Sequence, residues 1–292
     1  MLVNNITKCY NADQTGVFYE YLPKRTINAR GVKTVWVRCG GKDKERATAM
    51  LLGDSEGNKY PLFIVLKQKK STIATTVRAN INDRNGLGVF VWREVFPLME
   101  QWPSKIYGNP TAWWNEDISV AFLRFHFGSR PNMDEKILLI WDDFSAHFTD
   151  KVQDCANEID VILEKVPPRF TWSRQPADVA WNKPFKTQLR RYWIDALMKQ
   201  IRTHENSEPF RMVPPDRSTI VAWINEAWTD VLPSTIVAGF RRTRLLRTDT
   251  SSQDAADLYD NDEESFDTIA RQLGSIDIGG DVEVDESMDI FD

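Results

Sequence analysis

The chain has 292 residues, of which 42% are hydrophobic, with 11 Trp and 15 Phe, enough to build a sizeable core and to exclude a disordered protein. No run approaches the roughly 18 uninterrupted apolar residues of a membrane span, and residues 1–10 lack a basic segment followed by an apolar one, so neither membrane insertion nor secretion is indicated. The total charge of −5 averages two unlike regions: residues 249–292 hold 15 Asp and Glu against Arg271 alone, a local −14, which leaves +9 on residues 1–248. A basic body suits a polyanionic partner, although ordinary surface solvation gives the same composition. Cys9, Cys39 and Cys155 are odd in number and widely spaced, which supports neither a disulfide framework nor a zinc site and fits a reducing compartment.

In chain order, an apolar segment ending at Asp13 precedes three strand-like runs at 33–39, 46–52 and 60–66, separated by Gly40-Gly41 and by Asp54-Ser55-Glu56-Gly57-Asn58. These turn formers predict an antiparallel meander. Residues 67–102 read as an irregular insertion, basic at its start, that gains a pattern only near 89–99. Asn115 is placed to cap a helix over 116–127 that Gly128 ends. Residues 136–141 are a continuous apolar run, as in a strand covered on both faces, and two acids close it. A helix over about 149–160, a strand over 161–166 stopped by Pro167-Pro168, a long helix over 182–202, and helices over 218–230 and 234–246 follow. Within the first of those last two, Trp223 and Trp228 share a buried stripe with Ile224 and Ala227. The order predicts an α/β fold, a mixed sheet of the ribonuclease H-like kind flanked by helices, spanning 1–248. The acidic tail from 249 has too little apolar content to fold alone and is read as disordered.

Three aspartates stand where such a sheet gathers functional groups. Asp13 and Asp142 close apolar segments, and Asp178 lies between a strand and a helix. Carboxylates drawn together repel unless divalent cations neutralise them, and hard oxygen ligands of this kind hold Mg²⁺ or Mn²⁺. Two such ions, about 4 Å apart, can serve the attacking and leaving oxygens of a phosphodiester displacement. Each acid also has a plainer reading: Asp13 as a turn former, Asp142 and Asp143 as caps of the next segment, Asp178 as a helix cap.

The phrases around the acids resemble the DDE-superfamily endonucleases, specifically the catalytic domain of pogo and Tigger/jerky-type transposases. The resemblance is carried by Asn11-Ala12-Asp13-Gln14-Thr15-Gly16, by the apolar strand ending in Asp142 with Ser145 and His147, and by Pro167-Pro168 followed by Gln175-Pro176-Ala177-Asp178. Asn182-Lys183-Pro184-Phe185-Lys186, Trp223 to Trp228, Thr235-Ile236 and Gly239-Phe240-Arg241 are similar to the family's closing helices, and 35 residues separate Asp142 from Asp178. The resemblance implies a ribonuclease H-like fold, two Mg²⁺ or Mn²⁺ ions held by Asp13, Asp142 and Asp178, DNA strand cleavage and joining, DNA as partner with a homodimer allowed, and nuclear residence. Asp143 adds a negative charge where the family commonly has glycine or asparagine. His147 stands behind the ligands or faces substrate, or is a satisfied, partly buried histidine. Arg169 and Trp172 replace residues that are often histidine, and Arg244 stands where glycine is common. Only 12 residues precede Asp13, so the helix-turn-helix domain that relatives use to read DNA is expected to be absent from this chain.

Candidate DNA contacts are Arg38, Lys42, Lys44 and Arg46 around the second turn, Lys67, Lys69 and Lys70, and Lys186, Arg190 and Arg191 on one helix, with a solvated helix face as the alternative for the last set. Two other functional readings compete with the enzyme: an inactive transposon-derived module that binds DNA or protein, and a ribonuclease H-like enzyme acting on RNA or hybrids. The latter shares the metals but not the Gln-Pro-x-Asp phrase.

Overall fold

The computed structural model describes residues 6, 8–20, 41, 45–204, 210 and 212–245. The expected strand at 33–39, the contacts assigned to Arg38, Lys42 and Lys44, and the acidic tail lie outside the described residues. A six-stranded mixed sheet forms the centre, in the order β4-β3-β2-β1-β5-β6. The strands are β1 (Cys9–Phe18), β2 (Arg46–Asp54), β3 (Phe63–Lys67), β4 (Lys105–Asn109), β5 (Ile137–Trp141) and β6 (Val161–Lys165). β1, β2 and β3 are antiparallel to their sequence neighbours, while β5 and β6 continue parallel to β1, and β4 pairs parallel to β3. The expected α/β architecture of the ribonuclease H-like kind is present.

Alternation along the strands divides the core in two. Cys9, Val17, Ala49, Leu51, Ile64 and Ile140 face one side, where they meet α2 (Val89–Gln101), α6 (Asn182–Arg202), α7 (Arg217–Asp230) and α8 (Pro233–Arg242). Tyr10, Ala12, Met50, Phe63, Leu139 and Trp141 face the other, under α3 (Glu116–Phe127) and α4 (Asp150–Glu158). Fully burying one such side chain contributes about 1.5–3 kcal/mol, and Phe63, Phe122 and Trp114 add edge-to-face contacts at 5.5–6.0 Å. Asn115 does cap α3, accepting from Ile118 N at 3.0 Å, and Gly128 closes it. Trp228, Ile224 and Ala227 are buried with Trp223 packed beside them, as the stripe in α7 predicts.

Two expectations need correction. Residues 67–102 are not an irregular insertion: they hold α1 (Ala74–Arg84) and α2, and lead directly to the edge strand β4. α1 buries only Asn80, so its sequence lacks the apolar stripe that announces a helix. Asp13 does not end a strand either. Gln14, Thr15 and Gly16 resemble a turn, yet they pair in unbroken register with Met50, Ala49 and Thr48 of β2, and β1 runs on to Phe18.

One histidine in this core titrates far from its ordinary range. His126 of α3 is partly exposed as a residue, but its Nε2 is sealed without a hydrogen-bond partner among the rings of Phe122, Phe125 and Phe127. Burial pushes its pKa down to about 3. The unfolded chain binds this proton below about pH 6.5, whereas the folded chain refuses it until about pH 3. Stability is therefore full above that window and falls as the pH drops through it. A His126→Phe variant removes the proton-binding site, so its melting temperature should decline less than that of the parent between neutral pH and about pH 4. Thermal melts across that range check this.

Candidate active site

The three aspartates reach one side of the sheet by parity and register. Asn11 and Asp13 lie on the same face of β1 as Cys9 and Val17, which pack toward α6. β5 pairs with β1 in parallel, Cys9 with Leu138 and Asn11 with Ile140, and continuing that register by two residues sets Asp142 beside Asp13. β5 ends at Trp141, one residue before that level, so Asp142 stands at the strand's open end. Asp178 arrives from the helical side, on a five-residue π-helical turn, Ala177–Trp181, that runs straight into α6. Such wide turns occur often at functional sites.

Asn11 joins the three parts. Its side chain is fully buried; Nδ2 donates to Ile140 O of β5 at 2.9 Å, and Oδ1 accepts from Ala177 N at 2.9 Å. One amide thereby fixes β1, β5 and the turn that carries Asp178. From the other direction α8 presses on the same segment. A Cβ added at Gly239 would stand 2.7 Å from Pro176 O, so only glycine permits the approach. Trp181, fully buried, fills the space between the turn, Trp228 and Phe240.

Asp178, Asn182 and Lys186 follow at four-residue spacing and share a helix face. Asn182 Nδ2 donates to Asp178 Oδ1 at 2.9 Å and to Asp13 Oδ2, so one amide group clamps two carboxylates. Asp13 is 6% exposed, and its pKa is raised well above the usual carboxylate range, first by burial, then by the charge of Asp178 and of Asp142. Asn182 and the exposed Lys186 pull it the other way. Asp142, with a side chain 21% exposed, accepts from Phe144 N at 3.4 Å and stands 3.2 Å from His147 Nε2. That nitrogen makes no well-aligned hydrogen bond, so the pairing is a close electrostatic approach rather than a directed bond.

His147 is wholly buried. It stacks on Trp141 with centroids 4.0 Å apart and planes at 7°, and its Nδ1 lies 3.2 Å from Ser119 Oγ. Burial lowers its pKa and Asp142 opposes that shift. It is enclosed beside Asp142 rather than facing solvent. Asp143 is exposed. Among the described residues no three His, Cys, Asp or Glu side chains form a closed metal-binding group: Asp13 and Asp178 are drawn together by Asn182, and Asp142 is set beside them through its charge. The donor chemistry nevertheless suits a hard cation. Besides the carboxylates, Asn182 Oδ1 and Thr15 Oγ1 are buried oxygens without hydrogen-bond partners, the one beside Asp178 on its helix and the other on the Asp13 face of β1.

The sequence-derived basic residues divide. Lys67, Lys69 and Lys70 are exposed at and after the end of β3, and Lys186 and Arg191 are exposed on α6, with Arg190 partly so. Arg46 is half-buried and lays its guanidinium 3.7 Å above the ring of the exposed Trp113, and burial lowers its pKa.

A sequence model described as "DDE superfamily endonuclease" matches residues 44–240, two thirds of the chain. The chain belongs to the DDE superfamily endonuclease family. The matched span contains Asp142 and Asp178; Asp13 precedes it. Among curated relatives of this family member, "Pogo transposable element with KRAB domain" of Mus musculus is 25% identical over 242 residues, covering 80% of this chain and 35% of that protein. "CENP-B homolog protein 2" of Schizosaccharomyces pombe is 24% identical over 249 residues, covering 82% and 42%. The chain thus spans well under half the length of these relatives. A looser likeness joins it to the crystal structure of the Mos1 mariner paired end complex with Mn, at 10% identity and a TM-score of 0.46, over 80% of this chain and 52% of that one.

Sequence reading named the acids of this DDE domain but not what holds them. Asn11 and Asn182 sit inside the quoted phrases, two residues before Asp13 and four after Asp178, so each spacing was a signal of shared strand or helix face. Ser119 and Trp141 carried none. Replacing Asn11 by Ala strips Ala177 N of its buried acceptor and takes one donor from Ile140 O. Denaturant unfolding should show a loss of about 2–4 kcal/mol, whereas a surface control such as Asp143→Asn should lie within about 0.5 kcal/mol of the parent.

Proposed function

We propose that the chain carries out metal-dependent cleavage and joining of DNA strands, with Asp13, Asp142 and Asp178 as ligands of Mg²⁺ or Mn²⁺. One observation carries this reading: a buried carboxylate, Asp13, feels the charge of two further carboxylates, while the opposing charge that acts on it, Lys186, is an exposed side chain. Such an arrangement costs stability in a resting protein and is relieved by cations. The cations would supply positive charge to the attacking and departing oxygens of a phosphodiester. The protein's own groups have separate tasks. Asn182 holds the carboxylates of Asp13 and Asp178 toward each other, Asp142 is oriented by Phe144 N with His147 close behind it, and Lys186 brings a flexible positive charge to the acids for a phosphate. Nuclear DNA is the proposed substrate, and pairing of two DNA ends by a homodimer fits the reading.

Supercoiled plasmid incubated with Mn²⁺ or Mg²⁺ tests the assignment. The parent should nick it, and both Asp142→Ala and Asp178→Ala should not; nicking that survives in both variants removes these residues from the chemistry. A parent that nicks nothing yet binds plasmid with steep salt dependence favours the inactive DNA-binding module instead. A second measurement is independent of turnover. Mn²⁺ at saturating concentration should raise the melting temperature of the parent by several degrees through linkage, and should leave Asp178→Ala nearly unmoved.

A further inference from the structure

Residues 166–176 form a strap between the two outer acids. It leaves the sheet where Val166 N donates to Trp141 O at 2.8 Å, one residue before Asp142. It returns where Ala177 N meets Asn11 Oδ1, one residue before Asp178. The strap therefore borders the acid-bearing segments at both of its ends.

Two features separate it from an ordinary loop. First, no acidic residue occurs from Lys165 through Ala177, while Lys165, Arg169 and Arg174 all carry exposed positive charge. Second, Phe170 and Trp172 are 51% and 74% exposed, in a protein that buries Trp141 and Trp181 completely. Large rings left in solvent as a pair mark a contact surface. The rings are not loose. Trp172 Nε1 donates to Arg169 O at 3.0 Å, and Ser173 N and Arg174 N both bond to Phe170 O, within the short helix α5 (Thr171–Arg174). With its single polar atom satisfied inside the strap, the indole has only its apolar surface left to offer.

Duplex DNA presents phosphates and base edges, and its base faces are hidden by stacking; unpaired nucleotides expose those faces. Exposed rings set among arginines complement a polyanion whose bases are open. We propose that the strap is a stacking platform for unpaired nucleotides at a DNA end, with Phe170 and Trp172 taking base faces and Arg169 and Arg174 taking adjacent phosphates. The polyanion's identity rests on the DNA-cleaving reading above; the preference for unpaired over paired strands does not.

Fluorescence anisotropy with a labelled oligothymidine and a labelled blunt duplex of equal length, in EDTA, tests it with the full chain. The double variant Phe170→Ala/Trp172→Ala should bind the single strand about ten-fold or more weakly, and the duplex within about two-fold of the parent. Trp172→Phe should recover most of the single-strand affinity. Both rings are exposed, so melting temperatures should not move, and a melt of each variant confirms that binding is compared between folded proteins. An unchanged single-strand affinity, an equal loss on both DNAs, no recovery by the ring-retaining variant, or a parent that binds neither DNA overturns the proposal, as does a platform that turns out to capture a protein and not the oligonucleotide. No cation is present and no strand is cut, so failure of the nicking assay leaves this result standing, and the reverse.

Discussion

The amide of Asn11 is the constraint on which the rest of the candidate site depends. Three segments far apart in sequence must agree in position to within a hydrogen bond: the middle of β1, the end of β5 and the start of the turn before α6. Beyond a long contact from Nδ2 to Ala12 O, this buried side chain has few other partners, so slippage of one segment strands a donor or acceptor at a cost of about 1–3 kcal/mol. Hydrophobic packing around it is strong but poorly directional. Ile140, Ala177, Trp181 and Phe240 would pack almost as well after a small shift. The amide makes one of those arrangements preferred.

That precision serves an arrangement the fold resists. Burial and two like charges raise the Asp13 pKa, and Asn182 offsets only part of this. Around the same place several buried polar atoms lack partners, including both ends of the Gln175 amide. Native proteins keep few such groups. Those of Thr15, Gln175 and Asn182 stand on or next to the acid-bearing segments, while His126 and Trp141 hold others on the α3 side of the sheet.

Much of the architecture could be read from sequence because it rests on local patterns. The apolar run of β5, the Asn115 cap and the stripe of α7 each follow from a period or a terminus. The misreadings have one physical origin, which is that tertiary pairing outweighs local propensity. Gln14-Thr15-Gly16 favours a turn when alone, yet β2 supplies a complete ladder and keeps it extended. α1, almost without buried apolar residues, is fastened instead by Asn85 at its end, whose side chain donates to Ile106 O. The acids were legible because they recur in phrases, while their distance from one another depends on β1–β5 register, a long-range property that no window of sequence contains. The stack of Arg46 on Trp113 is of the same kind, since the two lie 67 residues apart along the chain.

Gly239 carries a consequence for where this domain stops. Because α8 touches the carbonyl of Pro176 directly, the position of Asp178 is set by a helix that ends at Arg242, some sixty residues downstream. The smallest fragment able to keep its acids in place must therefore run through α8, however self-sufficient the sheet looks. A chain cut before α8 loses that contact with Pro176 although every acid remains in it.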